Sequence, residues 1–194
     1  ISPEDEEDFR IAMGQIKRIE ATINRFLDFA KPQEPIFSVI NTKDLIEEAL
    51  LVVRPKANQQ ETVVSVHFHD ELPEIPGDRQ QLGDALVNLM VNSLEAMTQR
   101  GELGVSARTD CYQTTNGRTR CVLISVSDTG PGIEENNSER IFDPFFTTKA
   151  SGTGLGLSIV QTVVRGHNGE ITFESAAGRG TTFHLFLPIL EGQE

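Results

Sequence analysis

The chain has 194 residues, 38% hydrophobic and 24% charged, which at roughly 150 residues per domain fits one domain or one domain with an appendage. Seventeen Lys and Arg against 29 Asp and Glu give a formal net charge of −12, a surface that repels phosphate backbones and argues against nucleic-acid partners. No apolar run reaches the roughly 20 residues needed to cross a bilayer, and no signal peptide opens the chain, so no membrane contact and a cytoplasmic location are expected for this segment. An anion held by so acidic a chain must be met by a few local groups.

Residues 4–31 read as one long helix, stopped by Pro32. Its apolar residues Phe9, Ala12, Ile16, Ile19, Ile23, Phe26 and Ala30 step by three and four, the seam of a helical bundle. That stripe could pack on its own domain, but Lys31-Pro32-Gln33-Glu34-Pro35 looks like a linker and favours a bundle with a second chain. The expected division is therefore a bundle helix over 1–31, a linker over 32–35 and a mixed α/β domain over 36–190.

Within that domain, residues 36–40 form a short strand. A helix follows from Thr42, with Leu45, Ile46, Ala49, Leu50 and Val53 inward. Val64, Val66 and Phe68 alternate with polar residues as in a strand. Asp78 caps the next helix, with Gln81 placed as in a capping box, and Leu82, Leu86, Leu89, Ser93 and Met97 on one face. Asn116-Gly117 marks a two-residue hairpin turn between arms at 103–111 and 120–128. That turn pairs position 111 with 122 and 112 with 121, so Cys111 and Cys121 lie on opposite faces and form no disulfide. A helix over about 156–165 and strands over 170–175 and 181–187 complete the domain.

The helix opened by Asp78 has a second, polar face. Asp84, Asn88 and Asn92 recur every four residues, with Glu95 beside them. Side-chain amide oxygens are hard ligands that suit magnesium and phosphate, although such a face is also that of any solvated helix. Three glycine clusters follow. In Asp128-Thr129-Gly130-Pro131-Gly132-Ile133, a carboxylate at a strand end can accept from an amine while the glycine backbone approaches a flat ring. In Gly152-Thr153-Gly154-Leu155-Gly156-Leu157, glycines open a helix and expose N–H groups that can hold phosphate. Gly178-Arg179-Gly180-Thr181 turns into the last strand. Any one cluster alone would pass for an ordinary loop. Between the first two, Arg140 to Lys149 carries Phe142, Phe145 and Phe146, as in a lid or a small satellite core.

In this order, the blocks resemble the catalytic and ATP-binding domain of sensor histidine kinases, of the gyrase, heat-shock chaperone and MutL superfamily. Asn88 to Asn92 matches its N box, Asp128 to Gly132 its first glycine box and Phe142 to Phe146 its F box. Gly152 to Gly156 and Gly178 to Thr181 match the second and third glycine boxes, and the wording of the F box is closest to nitrogen-regulation-type kinases. The resemblance covers about residues 36–190. It implies a two-layer α/β sandwich (the Bergerat ATP-binding fold), with a mixed, mainly antiparallel sheet, helices on one face and a long bundle helix in front.

The resemblance also implies roles. Asp128 binds the adenine amine, supported by Thr181, with Gly130, Gly132, Ile133 and Phe142 around the nucleotide. Asn92 ligates Mg2+, and Asn88 lies near the phosphates. Gly152, Thr153, Gly154, Leu155, Gly156 and Leu157 cradle the phosphates at the helix start, while Arg140 approaches the γ-phosphate and Lys149 is a further phosphate contact. The cofactors are ATP and Mg2+. Implied partners are an acceptor histidine on a bundle helix, a response regulator receiver domain and a second copy of the full-length protein.

Two departures sharpen the reading. ATPases of the superfamily place a Glu where this chain has Asn88, and an amide cannot take a proton from water. Phosphoryl transfer to a protein is thus favoured over hydrolysis, with Asp84 and Glu95 keeping an ATPase in view. The histidines are His67, His69, His167 and His184, and none has the setting of the family's acceptor on a bundle helix: all lie within the nucleotide domain, on or beside predicted strands, including His69 with its following Asp70. All four are expected to be structural, the acceptor helix lying outside this chain, so that the chain binds ATP without phosphorylating itself. The rival from another class is a nucleotide-responsive binding module that transfers nothing.

Overall fold

The computed structural model describes residues 34–190 except 70, 99, 115, 116, 150 and 151, together with 6, 7, 9, 10, 12–14 and 16. The last group is helical, with Phe9 and Ile16 exposed, while the rest of the expected bundle helix lies outside the described residues.

The domain alternates short strands and helices: β1 (Ser38–Ile40), α1 (Thr42–Gln59), β2 (Val63–Phe68), β3 (Ile75–Gly77) and α2 (Arg79–Ala96). A long hairpin, β4 (Glu102–Thr114) and β5 (Gly117–Asp128), leads to the single-turn α3 (Glu135–Ser138), then α4 (Gly156–Gly166), β6 (Glu170–Ser175) and β7 (Thr181–Pro188). Five strands form one sheet in the order β2-β4-β5-β7-β6. Only β2 and β4 run parallel, because β3 and α2 carry the chain back between them; the other pairs are antiparallel. β1 and β3 make a separate two-stranded sheet.

The helices cover one face of this sheet. Leu103, Val105 and Ala107 of β4, Val122, Ile124 and Val126 of β5, and Phe183, Leu185 and Leu187 of β7 point into one buried cluster with α1, α2 and α4. All the inward residues expected on α1 and α2 are buried, Ser93 outside the apolar cluster and Met97 just past the end of α2. The other face carries Ser106, Ser125, Ser127, Thr182 and His184, together with an apolar patch at Cys121, Leu123 and Phe186.

The hairpin register differs from expectation. Thr114 pairs with Gly117, and Cys111 and Cys121 pair with Arg120 and Asp110, each two residues from the expected partner. A two-residue shift keeps every side chain on its face, so hydrophobic alternation cannot tell the registers apart. The observed one sets Val105 opposite Val126 and Ala107 opposite Ile124 inside the core. The thiols still lie on opposite faces and are free, and burial pushes the Cys121 thiol up to about 12.

The start of α2 anchors the site helix. Asp78 Oδ1 accepts the N–H groups of Gln80 and Gln81, both at 3.0 Å, and Oδ2 accepts that of Ile36 at 2.9 Å. Burial raises the Asp78 pKa, but the N–H groups of Gln81, Ile36 and Gln80 outweigh it and hold the carboxyl below its ordinary value. The reciprocal bond of the expected capping box goes elsewhere: Asp78 N–H donates to Nε2 of the buried His167 at 2.9 Å. Nε2 is then an acceptor, so the proton sits on Nδ1, 2.8 Å from Val163 O. His167 is a structural bolt between α2 and α4. Asp78→Ala is expected to cost about 1–2 kcal/mol of stability, a lost helix cap plus the β1 tether; urea denaturation showing no loss would contradict this account.

Candidate functional site

The carboxylate of Asp128 closes β5 at the centre of the sheet, buried beside Thr181 of β7, its partner across the ladder. Its Oδ1 accepts the N–H of Gly130 at 2.9 Å and of Thr181 at 3.3 Å, so one oxygen joins the first and third glycine clusters. Gly180 has φ +86, and a Cβ there would strike Asp128 O, so the third cluster needs a glycine to come this close. The segment 131–133 is tied to the turn before β7 by Gly178 N–H to Pro131 O at 2.7 Å and Ile133 N–H to Ser175 Oγ at 2.8 Å. Gly130, Gly132 and Ile133 thus form one wall with the 175–181 turn.

A second group forms where α2 meets α4. Asn88 and Asn92 are half-buried on α2, and a Cβ on Gly156 would lie 3.3 Å from Asn92 Nδ2. The amide of Asn92 therefore lies against the first residue of α4, which has a buried Leu155 at its N-cap and no side-chain cap. A helix end of this kind presents N–H groups and partial positive charge. Gly154, at φ +69, accepts Phe145 N–H on its carbonyl at 2.9 Å. A Cβ on Gly154 would run into the Phe145 backbone. Gly152 N–H donates to Lys149 O at 3.1 Å, Thr153 is half-buried, and Leu157 packs against the core.

Lys149 is held at this junction. Its Nζ lies 2.9 Å from Glu95 Oε2 and 3.4 Å from Asn92 O, and Lys56 Nζ lies 3.0 Å from Glu95 Oε1. Burial raises the Glu95 pKa, but the hydrogen bonds from Lys149 and Lys56 outweigh it and hold the carboxyl below its ordinary value. Neither lysine-to-glutamate contact has a local sequence signal, since Lys56 and Lys149 are 39 and 54 residues from Glu95.

The aromatic segment divides between core and surface. Phe142 and Phe146 pack against the core, Phe142 edge-on to Phe173 with centroids 6.0 Å apart, whereas Phe145 is exposed. The packing of Phe142 and Phe146 fits the core reading of the segment. Arg140 contacts the segment itself, its guanidinium 4.6 Å from the Phe146 centroid and Nε 3.9 Å from Asp143 Oδ2. A shallow hollow of about 490 Å³ lies here, lined by Arg140, Asp143, Pro144, Phe145, Phe146 and Thr147, with neither Asp128 nor the asparagines in its wall.

The histidines behave as side chains of the scaffold. His67 and His69 are exposed at the β2 edge, His167 is the bolt described above, and His184 Nδ1 lies 2.9 Å from Ser125 Oγ. Among the described residues, no three His, Cys, Asp or Glu side chains are grouped to hold a metal, and no helix is long and apolar enough to cross a membrane.

A buried strand-end carboxylate set among glycines, beside an asparagine-bearing helix and an uncapped glycine-rich helix start, defines a class of nucleotide-binding domain. A family model described as histidine kinase-, DNA gyrase B- and HSP90-like ATPase matches residues 77–191, more than half of the chain, and the chain belongs to that family. Within it, the chain is 34% identical over 187 residues to the signal transduction histidine-protein kinase AtoS of Escherichia coli K12, covering 96% of this chain and 30% of AtoS. It is 37% identical over 180 residues to the sensor histidine kinase ZraS of the same strain, covering 93% and 37%. The chain spans about a third of the length of these curated relatives.

Among solved structures, the nucleotide-free catalytic domain of histidine kinase ThkA matches with a TM-score of 0.68 at 32% identity, over 79% of this chain and 97% of that one. ThkA in complex with the response regulator TrrA matches with a TM-score of 0.78 at 26% identity, over 100% of this chain and 54% of that one. The described domain is the ATP-binding catalytic domain of the sensor histidine kinase type.

Proposed function

We propose that the chain positions ATP for transfer of its γ-phosphate to a histidine of a bundle helix outside this chain, for onward transfer to a response regulator aspartate. The observation that carries this reading is Asp128, whose buried carboxylate is oriented by both glycine clusters at once. Oδ1 is occupied by backbone N–H groups, which leaves Oδ2 to accept the adenine amine, with Thr181 alongside. Gly130, Gly132, Ile133 and Phe142 line the base. Gly152, Thr153, Gly154, Leu155, Gly156 and Leu157 offer the helix start to the phosphates.

Mg2+ fits the junction of α2 and α4 as a phosphate-bound ion that keeps most of its waters. The only side-chain donors we assign to it are amides, with Asn92 as ligand and Asn88 near the phosphates. Bound there, it would neutralise phosphate charge. Arg140 is held by two exposed contacts worth together about 1–2 kcal/mol at most, so it can turn toward the γ-phosphate at low cost, and Lys149 can do likewise from Glu95. In the transfer, the acceptor imidazole nitrogen attacks the γ-phosphorus, a P–N bond forms as the P–O bond to ADP breaks, and catalysis is chiefly positioning and charge stabilisation.

Hydrolysis is disfavoured on this reading. Asn88 cannot act as base, Asp84 is exposed, and the two lysines on Glu95 lower its basicity. We assign residues 1–31 to part of the dimerisation bundle of a homodimer, 32–35 to a linker and 36–190 to the ATP-binding domain. The Ile36 N–H bond to Asp78 supports that starting point.

Incubating the chain with radiolabelled ATP and a separate acceptor-helix fragment tests the proposal. Acid-labile label on the fragment is expected, with none on the chain alone. ATP binding without label on the fragment would instead support a nucleotide-responsive module, and steady phosphate release an ATPase.

A further inference from the structure

Ser175 ends β6 and is half-buried behind the wall formed by residues 130–133. Three polar atoms converge on its Oγ: Ile133 N at 2.8 Å, Gly180 O at 3.0 Å and Thr181 Oγ1 at 3.0 Å. A serine hydroxyl has one proton and two lone pairs. Ile133 N–H can only donate and fills one lone pair. Gly180 O can only accept and takes the one proton. What remains is a lone pair, so Thr181 must donate to Ser175.

That assignment fixes Thr181 as well. With its proton committed to Ser175, the Thr181 hydroxyl has only lone pairs to present elsewhere. Its neighbour across the ladder is Asp128, whose carboxylate also only accepts when ionised. We propose that Ser175 is a positioning residue that locks Thr181 as an acceptor, so that the end of the β5–β7 ladder offers lone pairs alone. Such a pair selects a base with an exocyclic amine over one with a carbonyl in its place. This rests on the reading of Asp128 as the base-binding carboxylate and explains how discrimination there extends beyond one residue.

The test compares the affinities of ATP and inosine triphosphate, which has an oxygen where ATP has the amine. The wild-type chain is expected to prefer ATP. In Ser175→Ala the Thr181 proton is released and can turn to the base carbonyl. The preference should then fall by about tenfold, the size of one hydrogen bond, chiefly through tighter inosine triphosphate binding. Ser175→Thr keeps the hydroxyl and should restore the wild-type ratio. A Ser175→Ala variant that weakens both nucleotides equally, or neither, overturns the proposal and leaves the base-binding role of Asp128 standing. Should Ser175→Ala fail to fold, Thr181→Val must lower the preference by weakening ATP, and an unchanged ratio in that variant overturns the proposal. A wild-type chain that binds ATP without preferring it to inosine triphosphate overturns this proposal alone, and one that binds neither nucleotide overturns the ATP-site reading with it.

Discussion

Asp128→Ala is expected to abolish measurable ATP binding, a loss of at least about 100-fold. A hydrogen bond to a charged group contributes about 1.5–3 kcal/mol, and each 1.4 kcal/mol is about tenfold in affinity. The variant loses more than one such bond. The carboxylate proposed to face the base goes, and so does the acceptor shared by Gly130 N–H at 2.9 Å and Thr181 N–H at 3.3 Å, which sets the two loops against each other. Asp128→Asn separates these effects: it keeps an oxygen for the backbone donors but replaces the charge. It should retain the wild-type melting temperature while still binding ATP at least about tenfold more weakly. Calorimetric titration with ATP checks both variants, and unchanged affinity in Asp128→Ala would reduce this aspartate to a turn residue.

Gly154→Ala should have a comparable effect by another route. The residue sits at φ +69, costly for a side chain, and the added Cβ would collide with the backbone of Phe145, itself at φ +68. The two residues are also linked by the Phe145 N–H to Gly154 O bond at 2.9 Å. Neither segment can yield without breaking that bond, so the loop before α4 must move away from the phosphate end. At least about tenfold weaker ATP binding is expected, together with faster amide exchange at Phe145, since one lost hydrogen bond and a strained φ add to more than 1.4 kcal/mol. The buried face of α4, formed by Ser158, Val160 and Val164, lies beyond the change and should keep the domain folded. Wild-type ATP affinity with unaltered exchange at Phe145 would show that the loop tolerates the methyl group.

Much of this domain was legible because its signals are local. The inward stripe of α1, the buried face of α2 and the alternation of β7 follow from apolar spacing, and each is buried as its period requires. The candidate site was legible for another reason: glycines and asparagines stood in a fixed order that a known family shares. What escaped lies between distant residues. Nothing local near Lys56 points to Glu95, and nothing near Ser175 points to Ile133. β3 escaped because Ile75-Pro76-Gly77 contains the two residues least suited to a strand, and it exists only through pairing with β1. The hairpin slipped by two residues because parity, which alternation does report, is blind to an even shift.

The shared carboxylate of Glu95 has a consequence for the energy of loop motion. If Lys149 were its only partner, drawing that lysine away would strand a charge at a partly shielded position. Lys56 remains at 3.0 Å when Lys149 leaves, so the departure exchanges one counter-ion arrangement for another instead of stripping the carboxylate bare. Both lysine side chains and the glutamate are more than a third exposed or close to it, at 35% and 41%. The exchange therefore costs no more than a surface pair, up to about 1 kcal/mol. On the proposed reading of Lys149 as a phosphate contact, an arriving anion competes only with that small tether, and the lysine can be held before binding and still released cheaply.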